Sequence, residues 1–301
     1  MHFLRTTGAS VISILSIKVG ALPGWPQGGT AVTGNAVQFD QVTWEAHLAF
    51  PNATGELAVT GFDVSQKWPS QKVDGWRLAV NVSGDIPDSQ TMNPSNATGK
   101  AFTGTSIFLK GPETMQALFS NKTAVDETTW KICVSVFPNG PQNSTAPTNG
   151  TCSFLPSQCV SDIQQAYASK FARSQDCYGT PPSTPSSCGD SIKTGDFITQ
   201  QFPLDSANGR EVFVTASDSH EVGDTAALDT ATNQVWPVMT IWGWNLRANA
   251  SDDASPEVQL SCIRAATPVP GNESSPSSGT TAYVSVVSAL AVAGTVAYVL
   301  L

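Results

Sequence analysis

"TTWKICVSVFPNG", running from Thr128 to Gly140, sets Trp130, Ile132, Val134 and Val136 at every second position. That spacing belongs to a strand with one face against a core. The same period recurs outward along the chain. Toward the N-terminus, "VTWEAHLAF" (Val42 to Phe50) groups Val42, Trp44, Ala46, Leu48 and Phe50 against Thr43, Glu45 and His47. "GWRLAVNVSG" repeats the pattern with Trp76, Leu78, Val80 and Val82, and "GTSIFLK" is a third short strand. Toward the C-terminus, "DFITQQF", "REVFVTA", "NQVWPVMTIWGWN" and "EVQLSCIRA" read as strands as well. Turn-prone Pro, Gly, Asn and Asp separate these runs irregularly, which predicts a mainly β fold built as an antiparallel β-sandwich. No repeat of roughly 20 to 50 residues is visible, which excludes a solenoid.

Helix is expected chiefly in "SDIQQAYASKFA", with Ser161 as N-cap and Ile163, Ala166, Tyr167 and Phe171 on one face. It lies in a small disulfide-rich segment, followed by "CYGTPPSTPSSCG", a Pro/Ser loop held at Cys177 and Cys188.

Within "TTWKICVSVFPNG", the order Thr, aromatic, then alternating Ile and Val resembles the late core strand of fibronectin type III domains. Trp130 stands where that family has tyrosine, and Phe137-Pro138 replaces part of its end. The resemblance covers a dozen residues, implies an immunoglobulin-like sandwich for residues 22–150, and implies no activity.

All six cysteines, Cys133, Cys152, Cys159, Cys177, Cys188 and Cys262, lie between residues 133 and 262. An even number suits three disulfides in an oxidising compartment, with fifteen connectivities open. Cys133 with Cys152 is the one pairing expected here, as a clamp on "PNGPQNSTAPTNG". No C-x-x-C pair occurs, which argues against the usual zinc motifs.

The termini carry export signals. Arg5, "VISILSI" (Val11 to Ile17) and Val19-Gly20-Ala21 have the layout of a signal peptide over residues 1–21. At the other end, Ala282 to Leu301 is an apolar run with no charge behind it, preceded by a polar spacer and small residues near Asn272. A stable span would carry cytoplasmic Lys or Arg. The pattern instead matches a glycosylphosphatidylinositol (GPI) attachment signal, with Asn272 as the expected site. Sequons at Asn52, Asn81, Asn96, Asn121, Asn143, Asn149 and Asn249 are expected N-glycosylation sites; the one at Asn272 is lost if that residue takes the anchor. Removing the signal leaves 13 basic against 24 acidic side chains, a net of -11, which disfavours nucleic acid and anionic lipid as partners.

Sites are sparse. In "WPVMTIWGW", a strand would turn Trp236, Val238, Thr240, Trp242 and Trp244 to one face, with Pro237 marking an edge. Such indoles more often build a core, but on an open face Trp236, Trp242 and Trp244 would stack against sugar rings. Asp218, His220, Glu221 and Asp224 cluster in "SDSHEVGDTAALD", yet the zinc-helix motif H-E-x-x-H is broken at Asp224 and Gly223, so an acidic turn is expected and no metal. Glu45 and His47 share one face of their expected strand, where a surface pair is ordinarily structural. Nucleophile elbows, aspartic protease signatures and phosphate-binding glycine loops are absent, and no cofactor is expected.

The assembled chain resembles GPI-anchored secreted proteins of filamentous fungi in its architecture, which implies a plasma-membrane or cell-wall location. Its parts are the signal peptide (1–21), a sandwich domain (22–150), a Cys-rich helix and loop (151–195), and further strands that form a second domain or complete the first (196–266). A Ser/Thr/Pro stalk (267–281) and the hydrophobic tail (282–301) follow. The expected function is a non-catalytic surface glycoprotein, with cell-wall polysaccharide as candidate partner. A wall-remodelling glycoside hydrolase and a structural spacer are the alternatives. A cleft holding two carboxylates roughly 5 to 10 Å apart would mark the hydrolase.

Overall fold

The computed structural model describes Trp25 and residues 29–95, 98–207, 209–248, 250–251 and 254–270. The expected signal peptide (1–21), the expected hydrophobic tail (282–301), most of the expected stalk, and Asn96, Asn249 and Asn272 lie outside the described residues. No helix of the described residues is long and apolar enough to cross a membrane.

The chain begins with β1 (Ala31–Gly34) and α1 (Gln41–Leu48), followed by β2 (Ala53–Ala58), β3 (Gly61–Phe62), β4 (Lys72–Val73), β5 (Arg77–Pro87) and β6 (Lys100–Lys110). Two short helices, α2 (Gln116–Phe119) and α3 (Lys122–Glu127), lead into β7 (Trp130–Val136), and α4 (Ser157–Ser174) comes next. The remaining elements are β8 (Ile198–Phe202), β9 (Glu211–Ala216), β10 (His220–Glu221), α5 (Thr225–Asn233), β11 (Trp236–Trp244), β12 (Glu257–Ile263) and β13 (Thr267–Pro268).

The fold is mainly β. A first sheet runs β1-β9-β6-β5-β2-β13, with β10 on β6; a second runs β12-β11-β7-β8. Strands from residues 31–136 and 198–263 interleave in both sheets. The pairing is antiparallel except at β1 and β9, which run parallel and depart from the all-antiparallel expectation. β13 pairs with β2, so Thr267 and Pro268, expected to open the stalk, belong to the first sheet.

Alternation decides what each sheet buries. Leu78, Val80 and Val82 of β5, Ile107 and Leu109 of β6, and Trp130, Ile132, Val134 and Val136 of β7 share one hydrophobic cluster with Trp236, Val238 and Trp242 of β11. The opposite face of the second sheet packs against α4 through Cys133, Met239 and Ile241 on one side and Ile163, Tyr167 and Phe171 on the other. Gly243 allows this approach, since a Cβ there would lie 2.1 Å from the Phe171 ring. α4 starts a turn earlier than expected, after Pro156, so Ser161 is inside the helix rather than its cap. Its buried face, Cys159, Ile163, Tyr167 and Phe171, has the i, i+4 spacing of a helix stripe.

Three expectations are corrected. "VTWEAHLAF" is mostly helix: Asp40 caps α1 by accepting from the Thr43 N–H (3.0 Å) and Oγ1 (2.9 Å), and only Trp44 and Leu48 are buried by the helix. Val42 and Phe50, which alternation would bury, are exposed. Replacing Asp40 by Ala removes this cap and lowers the unfolding free energy by about 1 kcal/mol, read as a shift of the denaturant midpoint.

The disulfides are Cys133–Cys177, Cys152–Cys262 and Cys159–Cys188, not Cys133–Cys152. The reason is topological. Cys133 faces α4 from the middle of β7, beside Cys177, while Gly150 bridges to Cys262 and brings Cys152 to β12.

Finally, β11 is a central strand, between β12 and β7. Pro237 is tolerated because its missing donor falls at the end of the β7 ladder, where its carbonyl still accepts from the Phe137 N–H at 2.9 Å.

Candidate cleft site beside helix α1

The three tryptophans do not form an open stacking face. Trp236, Trp242 and Trp244 are 4%, 1% and 2% exposed. Trp242 packs against Trp76 (4.7 Å between ring centroids) and Phe62 (5.8 Å), Trp244 lies between Trp68 (4.4 Å) and Phe171 (5.5 Å), and Trp236 meets Phe213 (5.6 Å). Rings enclosed this way have no face left for a pyranose. The ordinary reading of Trp as core prevails over sugar stacking.

The acidic run is dispersed. Asp218 accepts from Asn35 (3.2 Å), His220 contacts Thr103 Oγ1 (3.1 Å), Glu221 pairs with Lys100 (2.6 Å) and Asp224 caps α5 at the Ala226 N–H (2.9 Å). Among the described residues no group of three or more His, Cys, Asp or Glu side chains is placed to hold a metal. A smaller cleft of about 410 Å³ lies here, lined by Thr103, Thr105 and Thr215 and by α5.

A larger site lies on the outer face of the first sheet. α1 and the segment before it cover one part of this face through Trp25, Phe39, Trp44 and Leu48, packed on Ile86, Phe102 and Val214. The Trp44 indole N–H donates to Ser106 Oγ (2.9 Å), and the Asn81 amide and Ser83 hydroxyl of β5 donate to the Leu48 (3.1 Å) and His47 (3.0 Å) carbonyls. The Phe50 N–H also reaches the His47 carbonyl (3.2 Å), so β5 side chains and the following turn together satisfy the C-terminal end of α1. Where α1 stops, a cleft of about 920 Å³ opens.

Gln41, Glu45 and Leu48 form the helical wall of the cleft, while Asn81, Phe108 and Lys110 come from the sheet. Asp205, Ser206, Arg210 and Glu211 line it as well. Gln41 donates to the Glu45 carboxylate one helical turn on. Lys110 Nζ sits 5.6 Å from the centre of the Phe108 ring. Glu211 is only 3% exposed, and burial pushes its carboxyl up to about 7; its own backbone N–H acts against this, the Glu45 charge adds to it, and Arg210 opposes it.

Glu211 reaches this face through a bulge. Phe213 pairs with Ile107 and Glu211 with Phe108, so Val212 is the extra residue. Strict alternation would send Glu211 to the face of Phe213. Glu45, expected beside His47 on a strand, enters the cleft from α1, while His47 turns to Gln90. The chemistry on offer is a buried, protonatable carboxyl near a second carboxylate, with amide, ammonium and guanidinium groups able to bind hydroxyls. No family model, curated protein or solved structure matches this chain.

Proposed function

We propose that the protein is a secreted, GPI-anchored β-sandwich glycoprotein of the cell surface or wall, and that it holds polysaccharide in the α1 cleft. Glu211, buried in a cleft wall otherwise rich in hydrogen-bonding side chains, is the observation that carries this reading. In the same cleft wall, the buried Ser206 hydroxyl makes no hydrogen bond to any described residue; such a group is costly unless a partner satisfies it, and a sugar hydroxyl provides one. Export is supported by three disulfides closing a chain with no free cysteine among the described residues.

The test uses protein made in an oxidising bacterial host, hence without N-glycans, incubated with insoluble glucan, chitin and mannan. Wild type is retained on at least one of them, and Arg210→Ala weakens retention about tenfold, the equivalent of about 1.4 kcal/mol. Trp242→Phe leaves retention unchanged. No retention on any of the three sinks the binding reading.

One observation favours a second reading, hydrolysis. Glu211, whose carboxyl burial pushes up to about 7, lines the cleft with a second carboxyl, Glu45, and a carboxyl pair of which one holds its proton is what glycoside cleavage uses. Soluble sugar released by wild type and abolished in both Glu211→Gln and Glu45→Gln would establish it; retention without release returns the cleft to binding alone.

A further inference from the structure

Asn81 is both a cleft residue and the first residue of the sequon Asn81-Val82-Ser83. We propose that Asn81 carries an N-linked glycan and that the N-acetylglucosamine core of this glycan occupies the α1 cleft, so that the protein's own sugar regulates access to the site. The proposal rests on the secreted, polysaccharide-binding reading above.

Three observations support it. First, the Asn81 amide nitrogen has two hydrogens and makes one hydrogen bond, to the Leu48 carbonyl at 3.1 Å. Replacing the other hydrogen by a sugar leaves that bond intact. Second, Asn81 and Phe108 stand on the same face of adjacent strands, diagonal to one another in the register Asn81 to Ser106 and Ala79 to Phe108. A sugar on Asn81 is thereby delivered to the part of the cleft lined by Phe108, Lys110 and Arg210. Third, about 920 Å³ is at the upper end of the roughly 300 to 1,000 Å³ typical of small-molecule sites, enough for more than one sugar residue.

The other described sequons differ. Asn52, Asn121, Asn143 and Asn149 use Oδ1 to accept the N–H of Gly84 (2.7 Å), Ala124 (3.2 Å), Thr145 (3.0 Å) and Thr151 (3.1 Å). None of the four lines either cleft described above. Glycans there extend into solvent.

Attachment precedes folding. In the folded chain Ser83 is buried and its hydroxyl is bonded to the His47 carbonyl, so the sequon is inaccessible once β5 has paired. In the unfolded chain the Asn81 nitrogen attacks C1 of an oligosaccharide carried on a lipid pyrophosphate. The N–C1 bond forms, the C1–O bond breaks with its electrons leaving on the pyrophosphate, and one amide proton passes to a base of the transferase.

The experiment uses the full chain from a eukaryotic secretory host, digested by peptide N-glycosidase before and after denaturation, with site occupancy read by glycopeptide mass spectrometry. Asn81 is expected to be occupied, and in the folded protein its glycan is released at least about tenfold more slowly than those at Asn121 and Asn149, a difference that disappears on denaturation. Asn81 bare while Asn121 and Asn149 are occupied overturns this proposal alone, as does native release from Asn81 at the same rate. Glycans absent from every sequon overturn the secreted reading with it. Slow native release in a protein whose unglycosylated form retains no polysaccharide upholds the seated glycan and rejects only the outside ligand.

Discussion

Replacing Cys152 and Cys262 together by Ala lowers the stability of the fold by about 5 kcal/mol, the largest loss among the three disulfides. The reason lies in the unfolded chain. This pair joins residues 110 apart, against 44 for Cys133–Cys177 and 29 for Cys159–Cys188. On chain-entropy grounds a cross-link stabilises by about 5, 4 and 3.5 kcal/mol for loops of these lengths. The native contacts act in the same direction: Cys262 is in β12, next to the central strand β11, and its N–H is held by the Gly150 carbonyl at 2.9 Å. Denaturant unfolding of the three double-Ala variants under two-state conditions measures the order. If the Cys152/Cys262 variant loses the least, closure of the long loop is not what this bond contributes.

The strand cores were legible in the sequence because they depend on parity alone. Trp76, Leu78, Val80 and Val82, and Trp130, Ile132, Val134 and Val136, are buried as alternation requires. α1 was not legible, since Trp44 and Leu48 stand four residues apart, a spacing that satisfies both a strand and a helix. What separates the two readings is the Asp40 cap ahead of the segment and the exposure of Val42 and Phe50, neither of which alternation registers. Cysteine pairing was hidden because it depends on which sheet face α4 covers. The cleft was hidden more deeply: Glu211 faces it only because a bulge at Val212 reverses the parity of β9, and a bulge leaves no mark in the residue pattern.

Glu211 also makes the stability of the protein depend on pH near neutrality. Its folded value of about 7 stands above the ordinary 4.5, with burial as the main cause. Below pH 4.5 the carboxyl is protonated in both states and the fold has its full stability. Between 4.5 and 7 the unfolded chain loses this proton while the folded chain keeps it, so stability falls by about 1.4 kcal/mol per pH unit, about 3 kcal/mol in all. Above 7 the folded group ionises too, and its contribution levels off. Glu211→Gln, which keeps the shape and cannot ionise, is therefore expected to unfold with little pH dependence across this window and to be more stable than wild type at pH 8. Urea midpoints at pH 4.5, 6 and 8 for both proteins measure this directly. Equal slopes in the two would mean that Glu211 is already ionised in the fold at pH 6, and the proton needed for acid catalysis in the cleft would then have no donor at this position.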